Sequence, residues 1–181
     1  MYAIFTELDQ ALNREIEKIR NEIMTGCKFD EKKWQNRVHL SWQGAESYVL
    51  PETEERLRMI AKTFAPIQIN VHGLGVFPGE TPVLSLTIAR TPRLSALNAT
   101  LWEALQPLAT GINTYFSPEK WIPHISLFYG DQKDAQAIGC AIEKLASVPI
   151  HIEINLDHLI LGSFDDNKGQ EILRVPLTGR G

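Results

Sequence analysis

Two stretches decide the reading of this chain: Arg37-Val38-His39-Leu40-Ser41-Trp42 and Ile122-Pro123-His124-Ile125-Ser126-Leu127-Phe128. Each is an apolar run interrupted by a His and, two residues on, a Ser. On a β-strand, side chains alternate between faces, so residues i and i+2 share one. His39 and Ser41 then point one way while Val38, Leu40 and Trp42 enter a core. His124 and Ser126 likewise share a face opposite Ile125 and Leu127. Two strands that each present an imidazole and a hydroxyl from an apolar backing read as two halves of one site.

The surroundings of the two stretches repeat. Tyr2 to Leu8 predicts a strand, and Leu8, Leu12, Ile16, Ile19 and Ile23 form a helical stripe that Gly26 closes. After the first His-x-Ser strand, Pro51 opens a second helix with Leu57, Ile60 and Phe64 as its buried edge, and Pro66 ends it. Ile67 to Phe77 and Pro82 to Ala89 read as a β-hairpin around Pro78-Gly79-Glu80. Thr91-Pro92 then caps a third helix with Leu94, Leu97, Leu101 and Leu105 as its stripe; Pro107 and Gly111 close it. The second His-x-Ser strand follows, and Asp131 caps a fourth helix carrying Ala135, Ile138, Ile142 and Leu145. Pro149 to Leu161 and Glu171 to Leu177 complete the pattern as a strand pair across Asp165 to Gly169. Each half reads helix, His-x-Ser strand, helix, hairpin, and the two histidines repeat at a period of 85 residues, 124 minus 39.

That period suits a duplicated lobe. The expected fold class is α+β: two pseudo-symmetric lobes, each an antiparallel sheet with helices on its outer face, and an active site in the cleft between them. No linker composition separates the halves, so residues 1–181 are expected to form a single bilobal domain.

The chain has 181 residues and a net charge of −4, with no global pull toward nucleic acid or anionic membrane. Any RNA partner is expected to be a nucleotide or short fragment, with no long duplex. No apolar run approaches membrane-spanning length, so no membrane association is expected. Cys27 and Cys140 suggest neither a disulfide framework nor a metal spacing, and the amino terminus meets acidic residues before any signal-peptide core. The default expectation is a reducing compartment, the cytoplasm.

Two imidazoles on opposite sides of one atom suit in-line displacement at phosphorus. One takes a proton from the attacking oxygen while the other gives one to the leaving oxygen. Each transfer is worth roughly 10²–10⁴-fold, and an ordinary imidazole pKa of about 6.5 serves at neutral pH. The Ser hydroxyls, about 6.5–7 Å along the strand from their His, can donate to the non-bridging phosphate oxygens. Neither His has a carboxylate within three residues, and no metal or cofactor is expected.

These motifs resemble the two-histidine (2H) phosphoesterases, a group that includes 2′-5′ RNA ligase-like proteins and cyclic nucleotide phosphodiesterases. Its signature is a pair of His-x-Thr/Ser motifs, each followed by an apolar residue, here His39-Leu40-Ser41-Trp42 and His124-Ile125-Ser126-Leu127. Val71 to Pro78 also looks like the stretch between the motifs in the ligase-like branch. Pro123 to Tyr129 looks closer to the cyclic phosphodiesterase branch. The resemblance implies metal-independent hydrolysis of a 2′,3′-cyclic phosphate on a nucleotide or short RNA end. By analogy His124 acts as base and His39 as acid, giving a 2′-phosphate. Competing readings are a nucleotide-binding module without turnover, and 2′-5′ RNA bond cleavage or ligation at the same site.

The chain departs from the family pattern at two places. Tyr129 stands where ligase-like members often carry Arg, and Arg37-Val38 stands where a Pro often precedes the first motif. Parity places Arg37 and Gln43 with His39, and Ile122 and Phe128 with His124. Arg37 is then a phosphate partner or a solvated strand end, and Phe128 a base-stacking ring or a core residue. Tyr129 is the third candidate for substrate contact, if it turns inward where its strand ends.

Overall fold

Helix formation follows the apolar stripes, and strand formation follows the short β-rich runs between them. The computed structural model describes residues 1–8, 10–30, 33, 38–165 and 168–180. In chain order its elements are β1 (Tyr2–Glu7), α1 (Gln10–Cys27), β2 (His39–Ala45), β3 (Ser47–Tyr48), α2 (Leu50–Thr63), β4 (Ile67–Phe77) and β5 (Val83–Ile88). Then come α3 (Pro92–Leu105), β6 (Ala109–Thr110), β7 (His124–Tyr129), α4 (Ala135–Leu145), β8 (Ile152–Leu156), β9 (His158–Asp165) and β10 (Lys168–Pro176).

Each helix buries its stripe against the sheet. Leu12, Ile16, Ile19 and Ile23 do so on α1, and Leu94, Leu97, Leu101 and Leu105 on α3. Thr91 caps α3 as its sequence predicts, its hydroxyl accepting from the Leu94 amide at 3.2 Å. Asp131 makes a capping box with Asp134 around the short turn that leads into α4. On α4 the buried face is Ala137, Ile138, Ala141 and Leu145, and Ile142 is left exposed. The expected stripe holds at Ile138 and Leu145, but Ala137 and Ala141 take the inward places expected of Ala135 and Ile142.

Eight strands form one antiparallel sheet in the order β10-β9-β1-β2-β7-β5-β4-β8, with β3 and β6 as a separate pair. It divides into two four-stranded halves, β10-β9-β1-β2 and β7-β5-β4-β8. They join where, among the described residues, β2 meets β7 through the residue pair Leu40 and Ile125. These halves are the two lobes, and the helices pack on one side of the sheet. α1 lies against α4 and β8, α2 against α3, β9 and β10, and α3 against β2 and β4.

Three expectations are corrected. The run Pro149 to Leu161 is not one strand: it splits at Asp157 into β8 and β9, which sit near opposite ends of the strand order. Leu156 and His158 are two residues apart, so their α-carbons lie within about 7.6 Å. The sheet is therefore curled, its two ends close together at Asp157. Second, the lobes are interleaved rather than consecutive. The hairpin β4–β5 follows the first motif in the chain but pairs with the second motif strand, β7. The hairpin β9–β10 follows the second motif and joins the first through β1. The cause is edge availability: β1 already occupies the outer edge of β2. Third, the packing of α1 on α4 brings Cys27 and Cys140 together as a disulfide. The premise for a reducing compartment is thereby removed. Among the described residues no helix is long and apolar enough to cross a membrane.

Candidate active site at the seam of the two half-sheets

Leu40 and Ile125 are equivalent positions in the 85-residue repeat, and they are also the pair that joins the halves. A pseudo-twofold axis therefore passes between them. Extending this antiparallel register by one residue sets His39 across from Ser126, and Ser41 across from His124. Leu40 and Ile125 are fully buried in the core, so all four His and Ser side chains share the opposite face. The two motifs thus form one constellation on adjacent strands.

On β7, the His124 ring nitrogen Nδ1 lies 2.8 Å from the Ile122 carbonyl oxygen. A carbonyl only accepts, so Nδ1 carries the proton and Nε2 is left as the acceptor. The ring packs on Phe77 with centroids 4.4 Å apart. Burial pushes the His124 pKa below the ordinary imidazole value; the Ile122 carbonyl opposes this, and the nearby His39 reinforces it. His39, on β2, meets the Phe5 ring edge-on at 5.4 Å. The loop entering β7 is pinned to β2 as Trp121 Nε1 donates to the Ser41 carbonyl at 3.1 Å and its ring stacks on Trp42. Arg90 secures the same loop by donating to the Trp121 and Pro118 carbonyls.

Each motif strand carries a β-bulge directly after its Ser. The β1–β2 register pairs Phe5 with Ser41 and Ile4 with Gln43, stepping over Trp42. The β5–β7 register pairs Ser85 with Ser126 and Leu84 with Phe128, stepping over Leu127. Trp42 and Leu127 are again equivalent in the repeat. An extra residue reverses which face the following side chains take. Phe128 consequently lies in the core, fully buried, its ring 4.5 Å from that of Phe29; it does not reach the site as parity had placed it. Gln43 is fully buried too, accepting from the Tyr48 hydroxyl at 2.8 Å. Tyr129 moves the other way: its hydroxyl donates to Ser126 Oγ at 3.1 Å. It lines a cleft of about 450 Å³ together with His39, Ser41, Phe116 and Phe164. Arg37 lies outside the described residues.

The sequence model of the 2′-5′ RNA ligase superfamily matches residues 8–168, spanning both His-x-Ser strands and the hairpin between them. The chain belongs to the 2′-5′ RNA ligase superfamily. Solved structures share its fold at low sequence identity. TT0787 of Thermus thermophilus is 15% identical, with a TM-score of 0.67 and 99% of each chain covered. LigT of E. coli, in complex with 3′-AMP, is 17% identical with a TM-score of 0.57, covering 97% of this chain and 98% of that one. Usb1 of Kluyveromyces marxianus is 11% identical with a TM-score of 0.58 and 97% of each chain covered. No protein of curated function matches the sequence.

For a member of the 2′-5′ RNA ligase superfamily, the motif residues were legible in advance, but several of their neighbours were not. Phe77 reaches His124 from the far end of β4, and Phe5 reaches His39 from β1. Phe164, from β9, packs on Phe5 with centroids 5.9 Å apart. Nothing in the local sequence marks these aromatic residues, because each is brought in by strand pairing over a long separation. Among the described residues no group of three or more His, Cys, Asp or Glu is arranged to hold a metal ion.

Proposed function

We propose that the protein is a phosphoesterase that opens a 2′,3′-cyclic phosphate on a nucleotide or short RNA end by two-histidine acid–base catalysis. The observation that carries this reading is the state of His124: Nδ1–H is committed to the Ile122 carbonyl, leaving Nε2 to accept a proton. Its lowered pKa keeps it neutral, as a base must be. His124 takes a proton from water as the water oxygen bonds to phosphorus. The bond from phosphorus to one ribose oxygen breaks, and His39 supplies the proton that oxygen needs. Ser41 and Ser126 donate to the non-bridging oxygens, where negative charge develops. Tyr129 orders this arrangement by donating to Ser126 Oγ, which directs the Ser126 proton outward. The cleft beside His39, with Phe116 and Phe164 in its lining, offers apolar rings to a nucleobase. Relatives of the fold support a nucleotide ligand: LigT has been solved with 3′-AMP and Usb1 with uridine monophosphate.

The test is incubation with 2′,3′-cyclic nucleotides in EDTA, using wild type, His39→Ala and His124→Ala. Wild type should release a monophosphate, and each variant should lose roughly 10²–10⁴-fold. Absence of product from wild type, or variants as active as wild type, would end this reading. Ligand bound in calorimetry yet unchanged after long incubation would replace it with a binding role. Membership of the superfamily favours one further reading, 2′-5′ RNA cleavage or ligation at the same four residues. A linkage-resolved oligonucleotide assay separates it, since resistance of every 2′-5′ linkage removes it.

A further inference from the structure

We propose that Glu7, clamped by Arg174, is a positioning residue for His39, holding its imidazole as the proton donor to the leaving oxygen. This rests on the acid–base reading above. The β1–β2 register sets Glu7 directly across from His39. Such residues share a face, with β-carbons about 4.5–5.5 Å apart. Glu7 is not loose there. Its Oε2 accepts from Arg174 Nη2 at 2.8 Å. Arg174 is itself fixed on β10: Nε donates to both Glu171 oxygens, at 3.2 and 3.1 Å, and Nη2 donates to Oε2 at 2.7 Å. Its Nη1 lies 2.9 Å from His158 Nε2. A guanidinium only donates, so His158 Nε2 accepts, and its Nδ1–H donates to Asp157 Oδ1 at 2.6 Å. Residues from β1, β9 and β10 and the Asp157 crossover thus hold one carboxylate beside one catalytic-motif histidine.

The equivalent place in the other lobe makes the contrast. Thr87 lies across from His124 on β5, so that histidine has an uncharged neighbour. Among the described residues, Glu7 on β1 lies across from His39 and His124 stands on the neighbouring β7, while Tyr129, Glu46, Tyr2 and the Met1 amino group line the same cleft. Behind Glu7 stand Arg174 and Glu171 on β10, His158 on β9 and Asp157. Three carboxylates accompany one guanidinium, an arrangement that favours a proton on the neighbouring imidazole. The plain alternative is a partly exposed salt bridge that only fastens three strands, worth about 0–1 kcal/mol. That alternative predicts no effect at the His39 ring.

The experiment is an NMR titration of the histidine imidazoles in wild type, Glu7→Gln, Arg174→Met and Arg174→Lys, with His39→Ala identifying the His39 signals. Glu7→Gln should move the His39 midpoint to lower pH and leave His124 nearly in place. Arg174→Met removes the cation that partly neutralises Glu7 and should move the His39 midpoint to higher pH, and Arg174→Lys should restore most of the wild-type value. In the cyclic-nucleotide assay, Glu7→Gln should lower kcat roughly tenfold with KM unchanged, part of what a whole general acid supplies. A His39 midpoint unmoved in Glu7→Gln overturns the proposal. So does a loss of kcat matched by an equal change in every histidine signal. Should Glu7→Gln fail to fold, the Arg174 variants decide the question from a different strand. The titration needs no turnover, so wild type without activity would defeat the proposed function while leaving the Glu7–His39 coupling measurable.

Discussion

On β7, His124 is pressed against Phe77 and hydrogen-bonded to a backbone carbonyl; on β2, His39 lies in register with Glu7, whose carboxylate is held by a guanidinium from β10. The motifs are the same and the strand geometry is the same, down to the bulge after each Ser. Only what the neighbouring strands carry differs. An apolar ring and burial disfavour a charged imidazole, whereas a carboxylate favours one. The duplicated scaffold supplies two equivalent imidazoles with chemically different neighbouring strands, and the proposed function assigns the base to His124 and the acid to His39. A symmetric site would lack this division, and in-line displacement needs it.

The severest way to break the comparison is to remove each imidazole in turn. His39→Ala and His124→Ala should each lower kcat/KM by roughly 10²–10⁴-fold. The double variant should lose little beyond the worse single one, since the pair acts as a unit. Steady-state rates on a 2′,3′-cyclic nucleotide measure both. Next in size are the hydroxyls. Ser126→Ala should cost up to roughly 10²-fold in kcat, as one fixed donor to developing charge is lost. Tyr129→Phe should cost about three- to tenfold, the equivalent of one neutral hydrogen bond of ~0.5–1.5 kcal/mol. Combining Tyr129→Phe with Ser41→Ala should give additive losses, and combining it with Ser126→Ala should not, because Tyr129 bonds only one of the two.

A subtler change sharpens the comparison without abolishing activity. In wild type the acid limb of kcat/KM should lie below the ordinary imidazole range, because His124 loses its basic form only below its lowered pKa. Phe77→Ala exposes that ring and should move the limb toward about pH 6.5. Activity at pH 8 should barely change. An unmoved limb would mean that another group sets it. Smallest at the site should be the effect of Cys140→Ser. The Cys27–Cys140 bond joins two helices on the other side of the sheet and closes a separation of 113 residues. Its loss should lower Tm, by up to about 4–5 kcal/mol of stability in the chain-entropy account, and leave kcat unchanged.

Local pattern carried much of this fold. The spacing of Leu94, Leu97, Leu101 and Leu105, and Thr91 before Pro92, specify α3 and its cap through contacts within a few residues of each other. His39, Ser41, His124 and Ser126 were legible as a set because period-two alternation and the repeat act within single strands and between two like segments. Parity failed one residue after the second motif. A bulge is made by the partner strand's register, so Phe128 turned into the core with no warning in β7 itself, while Tyr129, already a candidate where its strand ends, turned toward the cleft. Asp157 is another such place: one residue in an apolar run divides strands that end in different lobes, which only the competition for sheet edges settles.

By itself, then, the sequence determined the four helices, most strands of the large sheet, their repeat, the four motif side chains and the face they share. Each of these rests on short-range periodicity and backbone preference. Tertiary structure alone decided that Leu40 pairs with Ile125, that the hairpins exchange lobes, and that Glu7, Arg174 and Phe77 arrive beside the histidines. Strand order, register and bulges depend on which edges remain open once the whole sheet has assembled, and no local stretch of chain carries that information.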